Sequence, residues 1–374
     1  MTKVIVIGGD HHNTLGVIRS LGEKGLRPDA LIVSRDGRSF VEKSKYINHT
    51  YIIRENSMIT PFLIEHYNQS EEKPVIICCH DASSSEVDIH AEELGKLFFL
   101  PGSEVQGRIT YLMNKQRMSA LAEKCGFAIP ITVYPNHFPL QEQEVFFPCI
   151  VKPLVSKEGS KDDICICHHI GEVNIALSKM GVDNSQIQLF IEKDFEYQLI
   201  GCSTDDCIII PGVSKILRPC KGSNTSFLHY EPLENDFCDI DACKNFVRQT
   251  GYKGLFSMEF LRDKDGRDYF MEINFRNDGN AICVTASGVN LPYIWYLNCI
   301  GKDYSEEMNK KVVPKYVLPD SAEIRLLFTK QINIFQYFGD LMKTDRFMEF
   351  DWKDIKPFWK MLQFKFKYIW SKNI

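Results

Sequence analysis

A chain of 374 residues and 43.2 kDa is too long for one simple core and suits two or three domains. Its 44% hydrophobic and 25% charged residues and net charge of −5 are those of a soluble globular protein, with no general basis for nucleic-acid binding. No run reaches the ~18 apolar residues of a membrane span. The N-terminus enters a strand at once, so no signal peptide is expected, and thirteen cysteines without CxxC spacing read as reduced thiols in a cytoplasmic protein, not as a zinc site.

The first hundred residues alternate strands and helices. Strands are expected at Lys3–Ile7, Ala30–Val33, Tyr51–Ile53, Val75–Cys79 and Phe98–Leu100, with helices near 13–24, 60–69 and 85–95. This alternation predicts an open, doubly wound parallel sheet. Gly8-Gly9 after the first strand suits backbone binding of a phosphate or carboxylate at a helix start. It lacks the full GxGxxG pattern, so a dinucleotide-dependent oxidoreductase is the weaker reading.

A second segment begins near Asn114. A helix over Lys115–Cys125 ends at Gly126, and Cys149–Pro153 is a strand carrying Lys152, an awkward place for a purely solvated charge. A polar loop containing Ser156 and Ser160 follows. Another strand at Ile164–Cys167, a helix over 172–180 and strands at Gln188–Ile191, Tyr197–Gly201 and Cys207–Val213 lead on.

Residues 257–276, SMEFLRDKDGRDYFMEINFR, read as two strands joined by a tight turn at Asp265-Gly266. Residues two apart share a face, so Glu272 and Asn274 point together, Arg276 continues that face, and the hairpin can bring Glu259 opposite. Two carboxylates and an amide oxygen make a hard oxygen site of the kind that holds Mg²⁺ with substrate phosphates. A solvated acidic strand face is the plainer alternative.

Taken in order, Asn114–Pro130, Phe147–Pro153, Leu189–Asp194 and Met271–Arg276 resemble four motifs of the ATP-grasp family: its opening helix, phosphate-lysine strand, adenine hinge and metal-ligand strand. The chain looks most like the carboxylate–amine ligases of the D-aspartate-ligase and carbamoyl-phosphate-synthase-like group. The resemblance implies a pre-ATP-grasp α/β domain over 1–112, a two-lobed α+β ATP-grasp domain over 113–300 (lobes about 113–186 and 187–300) and a C-terminal helical extension over 301–374. It also implies ATP and Mg²⁺, with Mn²⁺ as a substitute. Lys115 and Lys152 would clamp phosphates; Ser156 and Ser160 would lie in the covering loop, which has one glycine where relatives have several. Glu192, Lys193, Phe195 and Glu196 would hold adenine and ribose, and Glu259, Glu272 and Asn274 the metal. Arg276 would stabilise the transferring phosphoryl group, assisted by Lys215 and Arg218. The implied reaction activates a carboxylate as an acylphosphate for attack by an amine. A non-catalytic ATP-binding or regulatory module is the alternative. Candidates to face the acceptor are Gly8-Gly9-Asp10, His80-Asp81 and Asn277–Asn280.

From Trp352 to Trp370 the apolar residues Ile355, Phe358, Trp359, Leu362, Phe366, Ile369 and Trp370 fall on one side of a helix, and Lys353, Lys356, Lys360 and Lys367 on the other. Asp354 is expected to cap its start. The pattern fits a peripheral contact with the inner face of a membrane; packing on the protein's own body or in a homodimer is the plainer reading.

Overall fold

In a computed structural model describing residues 2–154, 164–218, 227–233 and 237–372, with side chains as far as 365, four parallel strands open the chain. They are Val4–Gly9, Asp29–Val33, Thr50–Ile53 and Val75–Cys78, ordered third, second, first, fourth. Val4 and Val6 pack on the helix His12–Gly22, while Ile5 and Ile7 pack on the helices Ile59–Tyr67 and Asp81–Ile89. Burial on both faces explains the unbroken β-branched runs. The fifth strand expected at Phe98–Leu100 is reduced to one bridge, Val75 to Phe99. Strand order reverses between Val4–Gly9 and Val75–Cys78, so a crevice opens beyond the carboxyl ends of these two strands. Gly8 lines it at close quarters: a Cβ there would lie 2.3 Å from Thr14 Oγ1 and 2.8 Å from Cys79 Cβ.

The next unit is a four-stranded antiparallel sheet ordered Thr132–Val133, Ser185–Leu189, Cys149–Pro153, Cys165–Cys167. The helix Ile170–Met180 covers it through Val173, Ala176 and Leu177. At Phe190–Glu192 the chain leaves this sheet and enters the larger one with the strand Lys193–Ser203.

That larger sheet runs Asp268–Asn274, Gly254–Asp263, Lys193–Ser203, Gly212–Arg218, Phe227–Pro232, Lys315–Leu318 and Arg346–Phe347, with Ile208–Ile209 paired to Lys193–Ser203 at one side. The strand expected over Cys207–Val213 is thus broken in two. One face buries Tyr197, Met258 and Phe260 against the helices Lys115–Lys124 and Ile240–Thr250. The other buries Ile200, Leu228 and Tyr230 in a core shared with the N-terminal sheet and helix Leu291–Cys299.

Residues beyond 300 are woven into both bodies. They give the large sheet two strands, and Phe358, Met361, Leu362 and Phe364 of the final helix, Lys356–Lys372, pack into the shared core. Asp354 does not cap that helix. Its carboxylate is buried, accepting from Arg19 Nε at 3.1 Å, Ser44 Oγ at 2.7 Å and the Lys45 amide at 2.9 Å. Among the described residues no helix is long and apolar enough to cross a membrane.

Candidate active site

The hairpin forms with Glu259 directly opposite Glu272 and Ser257 opposite Asn274. Its turn is longer than two residues. Asp263 Oδ1 accepts from the amides of Asp265 and Arg267 at 3.0 and 2.9 Å, and Gly266 takes a left-handed φ of 82°, a conformation glycine adopts without strain. Like charges directly opposite one another destabilise a sheet unless cations or donors lie beside them. Here Lys115 Nζ meets Glu272 Oε2 at 2.9 Å, while the amides of Gln198 and Asn274 donate to Glu259 Oε1, each at 3.2 Å.

Two elements bring lysines to this pair. Asn114 caps the helix Lys115–Lys124 by accepting from the amides of Gln116 and Arg117, which sets Lys115 in the first turn. Burial opposes the Lys115 charge, but Glu272, with Glu259 and Asp81 behind it, prevails and raises its pKa. Lys152, on the smaller sheet, donates to Gln188 Oε1 at 2.8 Å. Burial first, then the charge of Lys115, lower its pKa to about 8 against the pull of Glu272 and Glu259. An anion entering between the two lysines relieves that repulsion.

Arg276 continues the line toward the N-terminal crevice. Its guanidinium donates to Asp81 Oδ1 at 2.9 Å, Asp278 Oδ2 at 3.2 Å and Asn274 Oδ1 at 3.1 Å. Burial opposes its charge, yet Asp81 and Asp278 raise its pKa further. The following loop is clamped to the N-terminal sheet: the Asn277 amide donates to Cys78 O at 2.9 Å, and Asn13 Nδ2 donates to Cys79 O and Asn277 O at 2.6 and 2.8 Å.

Three expected acceptor groups have structural partners instead. Asp10 Oδ1 accepts from Ser39 Oγ and the Phe40 amide at 2.6 and 2.8 Å, His80 bonds Ser83 and Asn56, and Asn277 forms the clamp. The crevice retains Asp81, Asp278 and Asn280. Asn280 Nδ2 donates to Gln198 Oε1 at 2.8 Å, and its own Oδ1 is buried with no partner among the described residues.

Glu196 shares the face of Glu259 through the register Leu261–Glu196 and Glu259–Gln198, and it accepts from Lys193 at 2.6 Å. Glu192 is exposed and pairs with Lys264. Phe195 lies on the reverse face, its ring 4.0 Å from Lys215 Nζ. Two expectations fail here. Lys215 registers with Tyr197, so alternation turns it to the opposite face from Gln198 and Glu259. Arg218 is held elsewhere, by Glu323 Oε2 at 2.5 Å and Asp340 Oδ2 at 2.9 Å. Ser156 and Ser160 lie outside the described residues. Gln198 was missed, although it sits two residues beyond Glu196 and alternation alone would have found it.

The donor set fits Mg²⁺ bound with phosphate: two carboxylates, hard oxygens only, with further ligands left to phosphate and water. Asn274 joins them only if its oxygen, engaged by Arg276, is released. Among the described residues no three His, Cys, Asp or Glu side chains converge as a self-sufficient metal site.

The architecture matches the ATP-grasp fold. Residues 214–318 match the family described as ATP-grasp in the biosynthetic pathway with Ter operon, a segment that includes the whole hairpin and ends on the strand Lys315–Leu318. No curated protein matches the chain in sequence. Among solved structures the chain is similar to L-amino acid ligase from Bacillus licheniformis, with a TM-score of 0.66 and 14% identity over 85% of this chain and 80% of that one. N5-carboxyaminoimidazole synthetase from Staphylococcus aureus gives 0.64 and 12%, over 88% and 86%. A biotin carboxylase–β-γ-ATP complex from Campylobacter jejuni gives 0.63 and 15%, over 82% and 73%.

Proposed function

We propose that the protein is an ATP- and Mg²⁺-dependent ligase joining a carboxylate to an amine. The observation that carries this reading is one polar line across the junction of the domains. It runs from Lys152 and Lys115 through Glu272, Glu259 and Asn274 to Arg276, Asp81 and Asp278. Pure nucleotide storage needs phosphate lysines and a metal-binding acid. It does not need a guanidinium continuing from that acid into a second domain. Dinucleotide chemistry at Gly8-Gly9 is disfavoured because Asn13 and Asn277 bridge the crevice there.

In this account Lys115 and Lys152 neutralise the phosphates, and Glu259 and Glu272 hold the cation, with Asn274 as third ligand once Arg276 releases its oxygen. Glu196 meets the ribose, with the main chain of Glu192, Lys193 and Phe195 along the adenine edge. Mg²⁺, when bound, offsets charge on the phosphates. The substrate carboxylate oxygen attacks the γ-phosphorus, ADP leaves, and the acylphosphate is attacked by the amine with loss of phosphate and a proton. Arg276 lies where charge develops, and fixed cations of this kind account for most of the rate in phosphoryl transfer.

Hydroxylamine tests the proposal without knowledge of the natural amine. Pools of amino acids and small carboxylates are incubated with Mg-ATP and hydroxylamine while phosphate and hydroxamate are measured. Matched release of both is expected for at least one pool. Tight ATP binding with neither product from any pool favours the regulatory alternative.

A further inference from the structure

The helix Ile334–Lys343 is built inside out. Wound at about 100° per residue, Ile334, Phe335, Phe338, Leu341 and Met342 share one face, while Gln336, Asp340 and Lys343 lie on the other. An ordinary surface helix turns its apolar face to the core. This one anchors its polar side to the body through Asp340, which pairs with Arg218 at 2.9 Å, and has no buried residue. Phe335 is 85% exposed and Met342 89%, with Phe338 at 56%. Phe328, at the end of the preceding helix Asp320–Phe328, is 82% exposed. Scattered exposed apolar residues are normal, but a contiguous face of this kind marks a contact site.

Charge indicates what covers it. Residues 328–374 carry nine lysines and arginines against five acids, a net charge of +4, and the rest of the chain −9. All five acids are engaged within the protein: Asp340 with Arg218, Asp345 with Lys315, Asp351 with Arg346, Asp354 with Arg19, and Glu349 with Ser321. Lys330, Lys343, Lys353 and Lys356 are exposed. A second copy docking through the same face would set like charge against like charge. An anionic surface would not.

We propose that the face Phe328, Phe335, Phe338 and Met342, with Lys330 just before the helix and Lys343 at its C-terminal end, seats this protein on an anionic lipid bilayer. Aromatic and Met side chains enter the headgroup boundary and the lysines meet the lipid phosphates. Of the apolar face expected on the C-terminal helix, Phe358 and Leu362 pack on the protein's own core, while the side chains of Phe366, Ile369 and Trp370 lie outside the described residues.

The test is flotation of the full chain with phosphatidylcholine vesicles, with and without phosphatidylglycerol, beside the triple variant Phe335→Ser, Phe338→Ser, Met342→Ser. These side chains are solvent-facing, so thermal melting and light scattering check that the variant folds as the parent does. Binding to phosphatidylglycerol vesicles is expected to exceed binding to phosphatidylcholine by roughly tenfold, and to fall by about tenfold or more in the variant. Absence of binding to the anionic vesicles overturns the proposal, as does undiminished binding by the variant. A parental dimer that the variant converts to a monomer, without vesicle binding, assigns the face to a second copy and overturns it too.

Discussion

Lys115 and Lys152 flank one carboxylate pair yet are pushed in opposite directions: Glu272 hydrogen-bonds Lys115, whereas burial and the charge of Lys115 prevail at Lys152. With Lys152 lowered to about 8, the free protein loses that charge above pH 8, and ATP binding then requires proton uptake. ATP affinity is therefore expected to be flat below pH 8 and to weaken above it, by up to about tenfold per pH unit. The same depressed pKa makes the free protein gain stability from Lys152 as pH rises from about 8 toward the ordinary lysine value. Calorimetric titration at pH 7, 8 and 9 checks the binding prediction, and equal affinity at all three contradicts it. Arg276→Lys keeps a charge but loses the fork that joins Asp81, Asp278 and Asn274. Turnover is expected to fall by roughly a hundredfold with ATP affinity little changed, as rate and binding measurements on the variant will report. Much of this was legible because strand alternation is local: Glu272, Asn274 and Arg276 share a face whatever the rest of the chain does. Lys215 and Arg218 were not, since the face of Lys215 depends on register with Tyr197, and Glu323, the partner of Arg218, is 105 residues away.

Among the elements, the segment entering the last helix rests on one buried pair. Arg19 and Asp354 are both almost fully inaccessible, and Arg19 also donates to the carbonyls of Met348, Glu349 and Asp354. Asp354→Ala leaves the guanidinium without its counter-charge and is expected to cost about 3–5 kcal/mol, whereas Ser44→Ala removes the hydrogen bond to Asp354 and a long one from the Tyr46 amide and should cost about 1–2 kcal/mol. Urea unfolding measures both, and a loss under 1 kcal/mol for Asp354→Ala would contradict the buried-pair account. In sequence this Asp has the offset of a helix cap. A cap and a long-range ion-pair partner look alike there, because only the fold brings Arg19 to the same point. The Asp265-Gly266 turn was legible as a turn, but its length was not, since the Asp263 side chain substitutes for backbone pairing.

For the whole molecule, one core runs from Val4 in the first strand to Met361 in the last helix and includes Ile200, Leu228 and Tyr230 of the large sheet. A core shared in this way couples the N-terminal domain and the large sheet, so calorimetry is expected to give one main unfolding transition for them; two well-separated transitions of comparable size would contradict it. The α/β alternation and the Asn114–Arg276 motif order were readable in advance. The strands Lys315–Leu318 and Arg346–Phe347 were not, being only four and two residues long, too short to show a period. Their place in the sheet also brings Glu323 and Asp340 to Arg218 and leaves the neighbouring helix with its apolar side outward. The central claim is that Glu259 and Glu272 hold a cation which the lysines and ATP share. It is tested most directly by ATP affinity with millimolar Mg²⁺ and with EDTA, for the parent and for Glu259→Gln, Glu272→Gln. Mg²⁺ should tighten binding to the parent by about tenfold or more and leave the double variant nearly unaffected. Equal dependence on Mg²⁺ in both proteins, or none in the parent, would contradict the account.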